Sequence, residues 1–205
     1  MYKRKKALIV IFLLMMSFAF YGCNKMMNNN GPKDKLHLML TTLKNYEADV
    51  TMSFLKDTEA NVFKMRHQVE VGGKYKLTVE SPEYLKGYTI SFDGKNITEY
   101  NPSTKTNLHS QASEARNQTL LSSFVTNYLN AEDIKREKEK QDGKEVTTIE
   151  VNIPGNFKYM AKEKVWFDET KLSPLKMEIY DIEDNIAIKI EFNSFKYNTK
   201  IDFNT

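Results

Sequence analysis

Apolar and polar side chains alternate with a period of two through most of this chain, and that alternation predicts β-strands. In Val62 to Val71 the odd positions are Phe63, Met65, His67, Val69 and Val71, with Lys64, Arg66, Gln68 and Glu70 between them. Such a segment buries one face and shows the other to water. Gly72-Gly73 predicts a two-residue hairpin turn, and the return strand places Tyr75, Leu77 and Val79 on its apolar side. Tyr88, Ile90 and Phe92 lead to a second turn at Asp93-Gly94 and on through Ile97 to Tyr100. Tyr46 to Phe54 reads as one more strand ahead of these.

Two segments switch to the helical period. Leu36, Met39, Leu40 and Leu43 share one face of a short helix that ends near Lys44. Leu120, Leu121, Phe124, Val125, Tyr128 and Leu129 give the strongest helical stripe in the chain. Asn101 to Ser113 is polar and turn-rich, and Ile134 to Lys144 is charged and reads as solvent-facing. Asp142-Gly143 turns that charged segment into a strand with Thr147, Ile149, Val151 and Ile153, which Pro154-Gly155 stops. Glu163–Asp168, Leu175–Ile182 and Ile186–Tyr197 complete a meander. In the last of these the apolar positions are Ile186, Ile188, Ile190 and Phe192, then Phe195 and Tyr197. A β-bulge produces that parity switch. The expected class is α+β, mainly antiparallel β, with about nine to eleven strands and two helices.

The N-terminus obeys a different rule. Lys3, Arg4, Lys5 and Lys6 precede an uncharged run from Ala7 to Phe20, and Phe20-Tyr21-Gly22-Cys23 follows. A basic n-region, a short apolar h-region and a small residue before the cut are the parts of a secretory signal. A spanning helix needs about 20 apolar residues, more than this run supplies. The chain's single cysteine, Cys23, stands where a bacterial lipobox has its lipid-modified residue. Phe20 and Tyr21 are bulkier than that motif usually carries. The expected organisation is a signal peptide over 1–22, a lipidated, flexible tether over 23–35 and one domain over 36–205. The tether includes Met-Met-Asn-Asn-Asn-Gly-Pro.

That boundary changes the charge. The whole chain carries a formal +3, but residues 1–22 hold four cations and no anion, so their removal leaves −1. Nothing in that balance favours nucleic acid. With Cys23 used for lipid, no disulfide can form within the domain. His37, His67 and His109 have no partners at metal-ligand spacing. His67 falls on the inward side of its strand and reads as a satisfied or half-buried core histidine. Neither a phosphate-binding glycine loop nor a nucleophile elbow occurs. Carboxylates are many, and Glu163 is a candidate for glycoside chemistry because it falls in phase with Val165 and Phe167. The outward end of a strand is the plainer reading of Glu163. Trp166, on the opposite parity, covers the other face or meets a partner. No cofactor, metal or catalytic residue is expected, and the chain reads as a non-enzyme.

Val165-Trp166-Phe167-Asp168, with Leu172-Ser173-Pro174-Leu175 after it, resembles the late hairpin of the LolA/LolB-like lipoprotein-sorting superfamily. Phe92-Asp93-Gly94-Lys95 followed by Glu99-Tyr100-Asn101 is similar to that family's earlier hairpin. The resemblance covers roughly residues 36–203. It implies an incomplete β-barrel, a strongly curved sheet with two helices on its concave side. In carrier members that cavity takes lipid acyl chains; here the helices are expected to fill it as core.

An anchored chain of this length, with 4 arginines among 30 cations and abundant asparagine, also resembles the clostridial spore germination lipoproteins of the GerS type. That resemblance implies a non-catalytic partner that binds and activates an N-acetylmuramoyl-L-alanine amidase acting on spore cortex. It implies a place on the extracytoplasmic face of a spore membrane, held through the lipid on Cys23. The alternative is a carrier or sensor of lipid or another apolar ligand. Against shuttling stands the anchor itself. Unpaired edge strands leave a homodimer open, although the lysines of 134–144 and 74–80 blunt them.

Overall fold

The computed structural model describes residues 34–56, 59–111, 117–141 and 143–203. Helix α1 (Lys35–Thr42) leads into β1 (Asn45–Lys56), β2 (Glu59–Glu70) and β3 (Tyr75–Ser81). A single 3-10 turn (Glu83–Leu85) precedes β4 (Thr89–Phe92), β5 (Asn96–Asn101) and β6 (Thr106–Gln111). Helix α2 (Leu121–Asn130) follows, and then β7 (Lys135–Gln141), β8 (Lys144–Asn152), β9 (Lys162–Asp168), β10 (Ser173–Tyr180) and β11 (Ile186–Tyr197). The expected signal segment 1–22, Cys23, the tether as far as 33 and Asp142 lie outside the described residues.

All eleven strands form one antiparallel sheet in the order β6-β5-β4-β3-β2-β1-β11-β10-β9-β8-β7. The chain meanders outward from β1 to one edge, crosses to the opposite edge through α2, and meanders back to β11. First and last strands therefore meet in the middle. The sheet does not close, and with two helices on one face among the described residues it forms an open barrel.

Both helices lay their apolar stripes on one face of the sheet. Leu36, Met39 and Leu40 of α1 and Leu121, Phe124 and Val125 of α2 join the inward residues of β1–β3 and β8–β11 in one core. Phe124 and Phe167 have no exposed surface, with ring centroids 6.0 Å apart. Burying a side chain of that kind contributes about 1.5–3 kcal/mol. His37 on α1 meets the Tyr128 hydroxyl of α2 at 2.8 Å and ties the helices together. The side chains of α1 and α2 pack directly on this face of the sheet.

The parity switch in the last strand is a bulge. Asp49 pairs with Ser194 and Val50 with Phe192, so Asn193 is the extra residue. It is held by its Nδ2 donating to Thr51 Oγ1 at 3.0 Å.

Other expectations need correction. Asn101 to Ser113 is not simply a loop, because Thr106–Gln111 forms the edge strand β6 on β5. Every β6 side chain is exposed, so nothing imposes an alternation that a sequence could display. The charged run over 134–144 likewise contains an edge strand, β7, exposed along nearly its whole length. The loop after β2 has three residues, Val71-Gly72-Gly73, closed by Glu70 N–H donating to Lys74 O at 2.8 Å. Val71 joins the loop because Val69 pairs with Tyr75, and Gly72 takes a positive φ of 69° there. On α2, Leu129 points to solvent at 49 % exposure, since it lies at the margin of the apolar stripe; Asn127 is buried in its place.

Candidate functional site

Glu163 is where the structure departs furthest from the plainer reading of its sequence. It is not an outward strand end: its side chain has no exposed surface. The in-phase position on β9 points it at α2, where Asn127 Nδ2 donates to Glu163 Oε1 at 2.7 Å. The same Nδ2 donates its second hydrogen to Gln118 Oε1 at 3.0 Å. Glu163 Oε2 has no partner among the described residues. Burial pushes the Glu163 carboxyl up from 4.5 to about 8, against a smaller lowering from Asn127. A carboxyl that must ionise without water or a cation keeps its proton instead, so Glu163 is mostly neutral at pH 7.

Gln118 and Asn127 mark the edge of an opening. A cleft of about 470 Å³ lies between the first turns of α2 and the loop after β2. Gln118, Asn127 and Asn117 line it, as do Tyr75, Phe92 and Pro154. Glu163 does not line it, and this separates the carboxyl from anything the cleft holds. Sequence reasoning missed Gln118 and Asn127. Position 127 is in helical phase with Leu120 and Phe124, and a polar residue on that stripe was the available signal.

His67 presents the opposite case. It is inward as expected, but fully buried and not satisfied: neither ring nitrogen has a partner among the described residues. Desolvation lowers its pKa from 6.5 to about 4 and keeps the ring neutral. His109 meets Thr98 Oγ1 at 3.0 Å on the β5–β6 hairpin. The structure brings none of the three histidines together. Among the described residues no group of three His, Cys, Asp or Glu is placed to hold a metal ion.

Trp166 does cover the opposite face of the sheet. Its Nε1 donates to Glu139 Oε1 at 3.1 Å, and the ammonium of Lys176 sits 3.7 Å from its ring centroid. Lys164 approaches the same ring at 4.9 Å. Each exposed cation–π contact of this kind contributes about 0.5–1 kcal/mol. The lattice continues through Lys176–Glu178 at 2.8 Å, Tyr180 Oη donating to Glu178 Oε2 at 2.6 Å and Lys162–Glu150 at 3.7 Å. Burial, and next the Glu178 carboxylate, hold the Tyr180 hydroxyl above the usual phenol range. The cations and acids on this face are largely matched to one another.

An antiparallel sheet of eleven strands that stays open and packs two helices on one face, among the described residues, is a fold this chain shares with other solved structures. The chain belongs to the sporulation protein YdcC-like family, whose model matches residues 3–205. Sporulation protein YdcC of Bacillus subtilis (strain 168) is 23 % identical over 161 residues, which are 77 % of this chain. This chain spans about half, 46 %, of that relative's length. Among solved structures, the fold is similar to a chain in the structure of the CwlD amidase from Clostridioides difficile in complex with the GerS lipoprotein. That match has a TM-score of 0.53 at 22 % identity, covering 82 % of this chain and 98 % of the other. An uncharacterized conserved protein from Thermus thermophilus matches with a TM-score of 0.52 at 11 % identity, over 80 % of this chain and 85 % of its own.

Proposed function

We propose that this chain is a membrane-anchored, non-catalytic lipoprotein of spore formation that binds and activates an N-acetylmuramoyl-L-alanine amidase of the spore cortex. The observation that carries the reading is the joint one of a sporulation family and a fold shared, over 98 % of the matched chain, with a structure of an amidase–lipoprotein complex. In this reading residues 1–22 are removed, Cys23 carries the lipid, 23–35 act as a tether and the domain faces the extracytoplasmic side of a spore membrane. Two or more acyl chains hold a protein stably at a bilayer, each buried methylene adding about 0.8 kcal/mol. Activation follows from differential affinity: the domain favours the amidase's active conformation by contacting that state more strongly.

The lipid-carrier reading is weaker, because the side chains of α1 and α2 join the sheet in one core and the cleft beside α2 is lined largely by polar groups. The test is co-purification of the full chain with the amidase of the same cell, together with amidase activity in its presence and absence. A complex with raised activity is expected, and Cys23→Ala should release the protein from membranes without weakening the complex. Absence of a complex, with unchanged activity, would sink the proposal.

A further inference from the structure

The cleft beside α2 has a floor whose hydrogen-bonding capacity is only half used. Asn127 donates both hydrogens of its amide nitrogen, one to Gln118 and one to Glu163. Its carbonyl oxygen remains without a partner among the described residues. Gln118 uses its carbonyl oxygen to accept from Asn127, which leaves its NH2 group as a donor. Each of these two residues is 8 % exposed, and both line the cleft. Asn117 adds Oδ1, a buried acceptor without a partner among the described residues.

A donor and an acceptor on two residues joined by a hydrogen bond in the cleft wall offer the complement of a secondary amide, whose C=O accepts and whose N–H donates. The pair is fixed from behind by Glu163, so a ligand has no side chain to order before it binds.

The remaining walls narrow the class of ligand. Tyr75 and Phe92, with ring centroids 5.3 Å apart, give an apolar surface suited to C–H groups. Ser122, Ser123 and Thr126 bring hydroxyls. Among the described residues Glu70 is the one charged member of the lining, and it is exposed at the rim, so a neutral ligand fits best. The volume falls in the range of small-ligand pockets, roughly 300–1,000 Å³.

An extended peptide presents amides in series and is recognised along a sheet edge. This cleft offers one amide-complementary pair among hydroxyls and aromatic rings. An acyl chain would leave the floor's polar groups unpaired, which is costly.

We propose that the cleft lined by Gln118, Asn127, Tyr75 and Phe92 binds an N-acetylated sugar, with the acetamido group on the Gln118–Asn127 pair and the sugar ring against the aromatic wall. The site is independent of any amidase, and its test needs no partner protein.

The full chain in detergent micelles is titrated with N-acetyl-D-glucosamine, with D-glucose and with N-acetylglycinamide, following the side-chain amide NMR signals of Gln118 and Asn127. N-acetyl-D-glucosamine should shift both signals saturably, with D-glucose about tenfold weaker or more for want of the amide. Gln118→Glu keeps the acceptor that Asn127 needs and removes the donor, so it should weaken N-acetyl-D-glucosamine binding by about tenfold. Phe92→Ala, on a half-buried wall, should also weaken it and serves if the first variant does not fold. Equal binding of D-glucose, binding of N-acetylglycinamide at least as tight as the sugar, or no shift with any of the three overturns the proposal.

Discussion

On either side of the β1–β11 seam, one wing of the sheet holds His67 and the other Glu163 buried and uncharged, and they treat the group differently. In the wing of β2–β6, His67 sits neutral with both ring nitrogens unpartnered among the described residues. In the wing of β7–β10, Glu163 sits neutral but is tied through Asn127 to Gln118 and so to the cleft. Coverage differs too. The inner strands of the second wing are buried on both faces, by α2 on one and by the Trp166 lattice on the other. Its partner wing thins outward, half-buried on β4 and fully exposed on β6. Glu163 is given a hydrogen-bond network, and His67 is simply held uncharged by desolvation. The first arrangement fixes geometry at a surface opening, and the second only constrains pH.

The sharpest way to break the comparison is to ionise Glu163. Its folded pKa, raised from 4.5 to about 8, means that the folded state holds a proton the unfolded chain has released. Stability is therefore complete below about pH 4.5 and falls as pH rises through 8. The loss reaches on the order of 5 kcal/mol at full ionisation. Urea unfolding at pH 6 and pH 9 reads the part lost between them, about 3 kcal/mol, and Glu163→Gln should remove that difference. An unchanged slope in that variant would place the titration elsewhere.

His67 runs the other way and somewhat less far. Its folded pKa is lowered from 6.5 to about 4, so the unfolded chain takes up the proton first as pH falls. Stability present above pH 6.5 is lost down to about pH 4, by about 3 kcal/mol. His67→Leu should flatten that limb in acid denaturation monitored by circular dichroism. Together the two groups leave a plateau of stability between about pH 4.5 and 6.5. The smallest effect is expected at the thin edge. Leu108→Lys, at 62 % exposure on β6, should change stability by less than about 0.5 kcal/mol. Sedimentation equilibrium of the same variant shows whether that neutral edge supports self-association.

In both wings the inner strands were more legible from the chain than the edges, β6 and β7. Strands with one buried face announce themselves by alternation, and even the Asn193 bulge shows as a parity switch between Phe192 and Phe195. β6 has no buried face, so its residues carry no periodic mark. The parity of Glu163 was visible, but its burial was not, because the residue that covers it lies 36 positions away on α2. The cleft is a product of topology. It forms where the crossover helix passes the hairpin after β2, and no local pattern encodes that meeting.

The seam has a consequence for how such a chain comes into being. Asp49 and Ser194, whose side chains meet at 2.6 Å, stand 145 positions apart. A polypeptide emerging N-terminus first, from a ribosome or through a translocation pore, presents β1 long before its second neighbour exists. The six-stranded leading half then waits with an unpaired central edge until β11 follows. Contacts of such long range form late and slowly, and partly emerged β-rich chains are prone to wrong pairings. A sheet whose first strand pairs with its last cannot be completed until the whole domain is available.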